Sequence, residues 1–146
     1  MAAALRNNAL AAAPRTMELR VFLAEDLASM HALIGALLAS LGTLKLAGTA
    51  ATEAEAKLWL EEHAGEWDVC IVDLMLAQGS GFGVIAHAAA RRGQARIVAF
   101  SGYVSEGIRA HCLRLGADAA FDKADTAAFI SWLAQLTGSG GGAAAP

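Results

Sequence analysis

The sequence of 146 residues contains only two cysteines, Cys70 and Cys112. Two cysteines are too few for a disulfide framework, and neither stands at metal-ligand spacing from the other or from a histidine. Because disulfides belong to oxidising compartments, their absence is simplest to reconcile with a reducing one. The sequence therefore predicts a cytoplasmic protein with buried, unpaired thiols.

The chain also lacks an excess of positive charge, since 11 Lys and Arg face 14 Asp and Glu, for a net charge of −3. Proteins that bind nucleic acid or a membrane surface need a basic patch, so this balance argues against both classes. No apolar run approaches the roughly 20 residues that span a bilayer. What the chain has is apolar content, 56% of its residues, which is enough for one well-packed domain.

The two ends differ in composition from the middle. Residues 1–16 are rich in alanine without apolar periodicity, and polar residues interrupt them, so we expect a disordered leader and no secretory signal. Residues 138–146 are glycine and alanine with one serine and a final proline, which is typical of a flexible tail. The folded domain is predicted to span residues 17–137.

Within this domain, short β-prone runs alternate with segments of helical periodicity. The predicted strands are 19–24, 44–50, 67–73, 96–100 and 119–121. The predicted helices follow them: one with Leu27, Met30, Ile34, Leu37 and Leu41 facing inward; one over 53–63, capped by Thr52 with Glu55; one over 82–92; one from Ser105 to Gly116; and one capped by Asp125. Five such units predict an α/β fold, a doubly wound parallel sheet with helices on both faces.

Polar groups follow four of the five predicted strands: Glu25 and Asp26, then Asp73, Ser101 and Lys123. The carboxyl ends of parallel strands lie at one edge of a sheet, so we expect these side chains to converge there. Three carboxylates in one place repel one another unless a cation joins them, and Mg²⁺ prefers such oxygen ligands. With Ser101 as a hydroxyl donor and Lys123 as a fixed positive charge, Asp73 is predicted to be an oxygen nucleophile of aspartyl-phosphate chemistry.

Taken together, these motifs resemble the receiver domain of response regulators in two-component signalling. The resemblance rests on the segments 22–26, 72–75 with Gly81, 100–102 and 121–123, and on the 22 residues that separate Ser101 from Lys123. It implies a flavodoxin-like sheet of strand order 2-1-3-4-5 with five helices. It also implies that Asp73 is the phosphoacceptor, that Ser101 and Lys123 contact the phosphoryl group, and that Glu25, Asp26, Asp73 and the main-chain carbonyl of Met75 hold Mg²⁺.

The resemblance further implies partners. The phosphoryl donor would be a histidine kinase or a phosphotransfer protein. The output would pass to a downstream protein, or to a second copy of the chain in a phosphorylation-dependent dimer. The segment 121–123 and the loop 78–81 are similar to those of stand-alone bacterial receivers, which catalyse only their own phosphorylation and dephosphorylation. Such a domain is a switch and not a metabolic enzyme.

Three positions depart from the usual receiver pattern. Ala77 and Ala124 stand where many receivers have proline, and we expect the Lys123–Ala124 bond to be trans. Ala120 stands where a switch aromatic is common, and Phe121 should point to the opposite face of its strand. Tyr103, two residues after Ser101, is the predicted substitute for that aromatic residue.

Two other functions remain open from the sequence. One is a phosphohydrolase of the haloacid-dehalogenase type, which also forms an aspartyl phosphate but carries a second Asp two positions after the first. Met75 occupies that position here. The other is a degenerate receiver that serves only as a protein-binding scaffold. The departures at Ala120 and Ala124 favour this alternative.

Overall fold

The computed structural model describes residues 18–137, so the predicted leader and tail lie outside the described residues. Five strands alternate with five helices. The strands are β1 (Leu19–Ala24), β2 (Leu44–Ala50), β3 (Val69–Val72), β4 (Arg96–Ser101) and β5 (Ala119–Asp122). The helices are α1 (Ala28–Leu41), α2 (Glu53–Glu62), α3 (Gly81–Ala89), α4 (Glu106–Leu115) and α5 (Thr126–Leu136). None of these helices is long and apolar enough to cross a membrane.

The strands form one parallel sheet in the order β2-β1-β3-β4-β5. Strand β3 lies at its centre, where all four of its side chains are buried. A run of apolar residues without alternation is typical of a parallel strand covered on both faces. The predicted flavodoxin-like, doubly wound fold is thereby confirmed.

Each face of the sheet carries its own core. One face buries Phe22, Cys70, Ile97 and Ala120 against α2, α3 and α4. The other face buries their sequence neighbours, among them Val21, Ile71 and Val98, against α1 and α5. Because side chains alternate across a strand, Ala120 and Phe121 face opposite cores, as predicted. Both cysteines are buried and unpaired.

The predicted element boundaries were wrong in the centre of the chain. Strand β3 covers only 69–72, because Asp68 turns its carboxylate to the backbone N–H (2.7 Å) and the Nε (3.0 Å) of Arg20. Helix α3 ends at Ala89, three residues before the predicted end, and Gly93 follows in a left-handed conformation, with φ of 57°. A positive φ costs glycine nothing, which is why the chain reverses there.

Two predicted helix starts also need correction. Leu27 is at the N-cap of α1 and is 53% exposed, so it does not belong to the inner face. Asp125 precedes α5 without any capping hydrogen bond from its side chain, because a 3₁₀ turn over Lys123–Asp125 comes first. Asp122 caps that turn by accepting the Ala124 N–H at 2.8 Å. The Lys123–Ala124 bond is trans, as expected.

The predicted capping box at α2 is half confirmed. The Thr52 hydroxyl accepts the backbone N–H of Glu55 at 3.1 Å, as a capping residue should. The Glu55 carboxylate, however, accepts the N–H of Ala51 at 3.1 Å and not that of Thr52. Both hydrogen bonds therefore connect the first turn of α2 with the two residues that follow β2.

Candidate functional site

Four strands deliver the predicted site residues to the carboxyl edge of the sheet, the edge at which the parallel strands end. Strands β1 and β3 are in register at Ala24 and Val72, so the next residues, Glu25 and Asp73, emerge side by side. Strands β4 and β5 pair Ser101 with Asp122, which places Lys123 immediately beyond. The sheet thus brings together residues that lie up to 98 positions apart in the chain.

Asp73 is the centre of this group and is almost completely buried, with 5% of its surface exposed. Its Oδ1 accepts hydrogen bonds from the hydroxyl of Ser101 (2.7 Å) and from the main-chain N–H of Met75 (3.0 Å). Its Oδ2 accepts one from the ammonium group of Lys123 at 2.9 Å. Three donors therefore converge on one carboxylate, and each is well placed to stabilise negative charge there.

Lys123 also binds the second buried carboxylate of the site. Its Nζ lies 3.0 Å from Oε1 of Glu25, a residue with only 2% of its surface exposed. The side-chain amine of Lys123 is itself about three-quarters buried. One ammonium group thus bridges two carboxylates in a largely dry environment, where such charges interact more strongly than in water.

Burial and these contacts move the pKa values of the two carboxyl groups in opposite directions. Burial alone would raise the pKa of Asp73, but the hydrogen bonds from Met75, Lys123 and Ser101 outweigh it and hold the pKa below its usual value. For Glu25, burial dominates and the nearby Asp73 adds to it, so the pKa is raised despite Lys123. Burial lowers the pKa of Lys123, but its two carboxylate partners outweigh this and raise it. The site therefore favours the ionised form of Asp73 and disfavours that of Glu25.

A third carboxylate completes an acidic cluster. Glu25, Asp26 and Asp73 each offer an oxygen, and these oxygens all lie within 4.8 Å of one another. One lysine cannot neutralise three carboxylates, so the cluster carries excess negative charge. Hard, oxygen-only donors with such an excess fit a divalent cation of the Mg²⁺ type. The recorded contact of Met75 with the site is through its N–H, and the role of its carbonyl stays a prediction.

The turn after Asp73 needs a glycine where it meets helix α3. A Cβ added at Gly81 would lie 2.2 Å from the carbonyl oxygen of Asp73 and 2.6 Å from the Cα of Leu74. Both of these are backbone atoms that cannot move aside without displacing Asp73 itself. Gly81 therefore permits the close return of the chain, and its N–H donates to the carbonyl of Leu74 at 3.1 Å.

Three residues make supporting contacts near the site that the sequence did not predict. Asp122 accepts the N–H of Val104 at 3.0 Å as well as that of Ala124, which fixes the loops that carry Ser101 and Lys123 relative to each other. The Nε2 of His31 contacts the carbonyl of Glu25 at 2.5 Å. Glu53 binds the loop after Asp73 at Ser80. Apart from Ala124, the partners lie 6 to 27 residues away in the sequence at no recurring spacing, so the sequence does not reveal these contacts.

A cavity lies beside Ser101, next to Tyr103, the predicted substitute for the switch aromatic residue. Tyr103 is 71% exposed and lines a cavity of about 510 Å³ whose walls also include Ser101, Phe82 and Ile108. Ala120 is buried but small, and Phe121 packs on the other side of the sheet near Phe129. The space beside Ser101 is therefore bordered by Tyr103 and by no aromatic residue of β5.

Comparison with known protein families gives a match over residues 21–131 to the model described as the response regulator receiver domain. The chain belongs to this family. A comparison with curated proteins finds no match. Among solved structures, similar folds are numerous, and three are relevant to the site.

The response regulator domain of Thermotoga maritima CheB is 24% identical, with a TM-score of 0.65, over 73% of this chain and 78% of that one. The CheX–CheY–BeF3–Mg²⁺ complex from Borrelia burgdorferi matches at 19% identity and a TM-score of 0.67, with the same coverage of 73% and 78%. CheY6 in complex with the P1 domain of CheA3 from R. sphaeroides matches at 25% identity and a TM-score of 0.61, over 73% and 83%. At these identities the likeness shows the receiver fold, which agrees with the strand order.

Proposed function

We propose that this receiver domain accepts a phosphoryl group on Asp73 from a phosphohistidine of a histidine kinase or phosphotransfer protein, and signals by a change of its surface. One observation carries the proposal: a buried, ionised Asp73 receives hydrogen bonds from both Lys123 and Ser101 and lies within an acidic cluster. The resulting activity is a self-modification, so the domain acts as a switch and not as a metabolic enzyme.

In the transfer step, a carboxylate oxygen of Asp73 attacks the phosphorus of the donor. A P–O bond forms while the P–N bond to the donor imidazole breaks, and that imidazole leaves with its electron pair and takes up a proton. Lys123 and Ser101, which now bind the carboxylate, are placed to donate to the oxygens of the incoming phosphoryl group. A tightly held, in-line arrangement of these donors is what such a reaction needs, because it involves little other covalent chemistry.

The acidic cluster would hold Mg²⁺ through Asp26, Asp73 and the carbonyl of Met75, with Glu25 acting through water. When bound, the cation neutralises charge on the phosphoryl oxygens. Glu25 has a raised pKa and shares Lys123 with Asp73. Its main task in our proposal is to keep Lys123 aimed at the phosphoacceptor.

A protein donor is favoured by the surface around the site. Leu27, Met75 and Tyr103 are large apolar residues that are more than half exposed, and each follows a strand that ends at the carboxyl edge. Exposed apolar groups around a polar centre are typical of a protein-binding surface. The similar structures include a receiver bound to a P1 domain of CheA3 and another bound to CheX, which agrees with a partner of this kind.

The response to phosphorylation is proposed to begin at Ser101. A phosphoryl group adds close to two negative charges at Asp73 and draws the Ser101 hydroxyl towards it. Tyr103 is 71% exposed and borders the same cavity, so it is our candidate for carrying the change to the surface of α4. The population shifts only to the extent that the phosphorylated state gains contacts with these residues.

The haloacid-dehalogenase alternative is less well supported, because Met75 offers no carboxyl group where a general acid is needed. A scaffold without phosphorylation is disfavoured by the intact set of donors around Asp73. The proposed cytoplasmic location and stand-alone action stay predictions from the sequence.

The experiment is an intact-mass measurement after incubation with Mg²⁺ and acetyl phosphate. We expect one phosphate-sized increment, absent from Asp73→Asn and retained in Asp68→Asn, which removes a carboxylate from the opposite edge of the sheet. An unlabelled wild type, under conditions that label another receiver, contradicts the proposal. Continued labelling of Asp73→Asn contradicts the choice of phosphoacceptor, and sustained release of phosphate favours the hydrolase.

A further inference from the structure

The loop after Asp73, residues 74–80, is held by a residue of a different element, Glu53 in the first turn of α2. Oε1 of Glu53 accepts the main-chain N–H of Ser80 at 2.9 Å. The backbone N–H of Glu53 in turn donates to the carbonyl of Gln78 at 3.0 Å. A short parallel bridge between Thr52 and Gln78 adds to this contact. The loop is therefore anchored to the start of α2 through main chain and side chain together.

Two glycines leave room for the Glu53 side chain. A Cβ at Gly79 would lie 2.5 Å from the Cβ of Glu53, and Gly79 also has φ of 82°. A Cβ at Gly83, inside α3, would lie 2.0 Å from Oε2 of Glu53. Glycine inside a helix is unfavourable relative to alanine, so its presence at position 83 is explained by the carboxylate that occupies the space.

A lysine of the same helix stabilises the charged form of Glu53. Lys57, one turn later, lies 2.7 Å from Oε2 and leaves Oε1 to Ser80. The hydrogen bond from Lys57, followed by that from the Ser80 N–H, lowers the pKa of Glu53. An ionised carboxylate is the stronger acceptor for a backbone N–H, so the ion pair strengthens the hold on the loop.

The anchored residue leads directly to the proposed phosphoacceptor site. Ser80 forms an antiparallel bridge with Met75, and its hydroxyl caps α3 by accepting the N–H of Phe82 at 3.0 Å. Met75 donates its N–H to Oδ1 of Asp73 at 3.0 Å. A displacement of Ser80 is thus passed on to Met75, whose N–H binds Asp73 and whose carbonyl is a proposed ligand of the cation.

We propose that Glu53 is a positioning residue for the phosphoacceptor site: it sets the place of the loop 74–80, and through Ser80 the place of Met75, for cation binding. This inference rests on the proposed function of Asp73, but the contact between Glu53 and the loop 74–80 is tested independently of that function. When a residue that holds a metal ligand in place is removed, the affinity for the metal falls on the order of tenfold.

The first test compares Glu53→Ala with Glu55→Ala, a matched control in the same turn whose carboxylate binds Ala51 and not the loop. Amide exchange and Mg²⁺ titration are followed by NMR. We expect the Ser80 amide to exchange at least about tenfold faster in Glu53→Ala, and Mg²⁺ to bind about tenfold more weakly, with neither change in Glu55→Ala. Glu53→Gln, which keeps an oxygen acceptor, should recover most of the Mg²⁺ affinity.

A second variant separates positioning from plain stability. Gly83→Ala should favour helix α3, since alanine is the better helix former, yet its Cβ pushes the Glu53 carboxylate away from Ser80. We expect a protein of equal or greater resistance to urea that binds Mg²⁺ more weakly. In the Glu53→Ala background the same glycine change should cause no further loss, because nothing is left to displace.

The inference is overturned if Ser80 exchange in Glu53→Ala equals that of the Glu55→Ala control. It is also overturned if Mg²⁺ affinity stays at the wild-type value while exchange rises, because the anchor would then not reach the site. A wild type that binds no Mg²⁺ removes the proposed function, whereas the exchange comparison still decides whether Glu53 holds the loop.

Discussion

The two edges of the sheet both collect charged residues, but they pair them differently. At the carboxyl edge, Glu25 and Asp73 share a single Lys123, and the carboxylate of Asp26 lies close to both of them. At the opposite, amino edge, a cavity of about 550 Å³ is lined by four arginines, and each has an acidic neighbour. Arg20 pairs with Asp68, Arg92 and Arg96 with Asp118, and Arg91 with Glu61.

The comparison teaches that the number of charges does not mark a functional site. The arginines of the amino edge make up the larger charged group, yet their partners neutralise them nearly one to one. The carboxyl edge holds an unbalanced group that is also more deeply buried. Buried charges in excess are costly to keep, and they persist where a function needs them. Removing an ion pair at the carboxyl edge should therefore affect phosphorylation, whereas removing one at the amino edge should affect stability.

The largest effect is expected at the carboxyl edge, from Lys123→Gln. The variant keeps a polar side chain but loses the charge that stabilises the phosphoryl group, so we expect the initial rate of acetyl-phosphate labelling to fall about 10²–10³-fold. The rate is measured by intact mass at saturating Mg²⁺. Lys45→Gln, an exposed lysine on β2, is the control and should label normally. A loss below threefold would remove Lys123 from the chemistry.

A smaller effect, of another kind, is expected at the amino edge. Arg92 donates to the carbonyls of Ala95 (3.1 Å) and Gly116 (2.5 Å) and binds Asp118, so Arg92→Ala removes a donor from two partly buried carbonyls and a charged partner from Asp118. We expect a loss of about 1–3 kcal/mol in the free energy of unfolding, measured with urea, and an unchanged labelling rate.

Arg91→Ala is the matched control for that variant. Arg91 is the adjacent arginine, but its nearest carboxylate, on Glu61, is 3.9 Å away and half exposed. Such a surface pair contributes about 0–1 kcal/mol. Should Arg92→Ala slow labelling while stability is kept, the amino edge would have a functional role that its neutralised charges do not suggest.

The sequence was sufficient for the fold and for the convergence of the candidate site residues, because both follow from strand ends. Buried runs and glycine stops located five β/α units, and a parallel sheet necessarily gathers Asp73, Ser101 and Lys123 at one edge. Helix starts were less predictable. Leu27 fits the apolar period but precedes the first helical turn, and Asp125 fits the cap pattern although Asp122 caps the chain one turn earlier.

The supporting contacts were beyond the sequence for a different reason. Glu53 and Ser80, or Asp122 and Val104, are joined by backbone N–H groups that every residue type offers. The acceptor can be recognised in the sequence, but its partner cannot, since only the folded loops decide which N–H lies within reach. The same applies to the sharing of Lys123 between two carboxylates.

The smallest expected effect tests why the carboxyl edge is unbalanced, and it concerns Glu25. Its pKa in the folded state is raised by burial, so the folded protein takes up this proton at a higher pH than the unfolded chain does. The contribution of Glu25 to stability is therefore complete below the ordinary glutamate pKa of about 4.3 and is lost as the pH rises through the raised value.

Glu25→Gln removes that titration and keeps the shape of the side chain. We expect the variant at pH 7 to be within about 1 kcal/mol of the wild type, or more stable, because it loses a buried carboxylate whose cation, Lys123, is shared with Asp73. As the pH falls towards 4.5 without Mg²⁺, the wild type should gain stability relative to the variant, in urea unfolding at each pH. If the wild type instead loses stability relative to the variant as the pH falls, Lys123 holds Glu25 ionised. The charges of the two edges would then be neutralised in the same way.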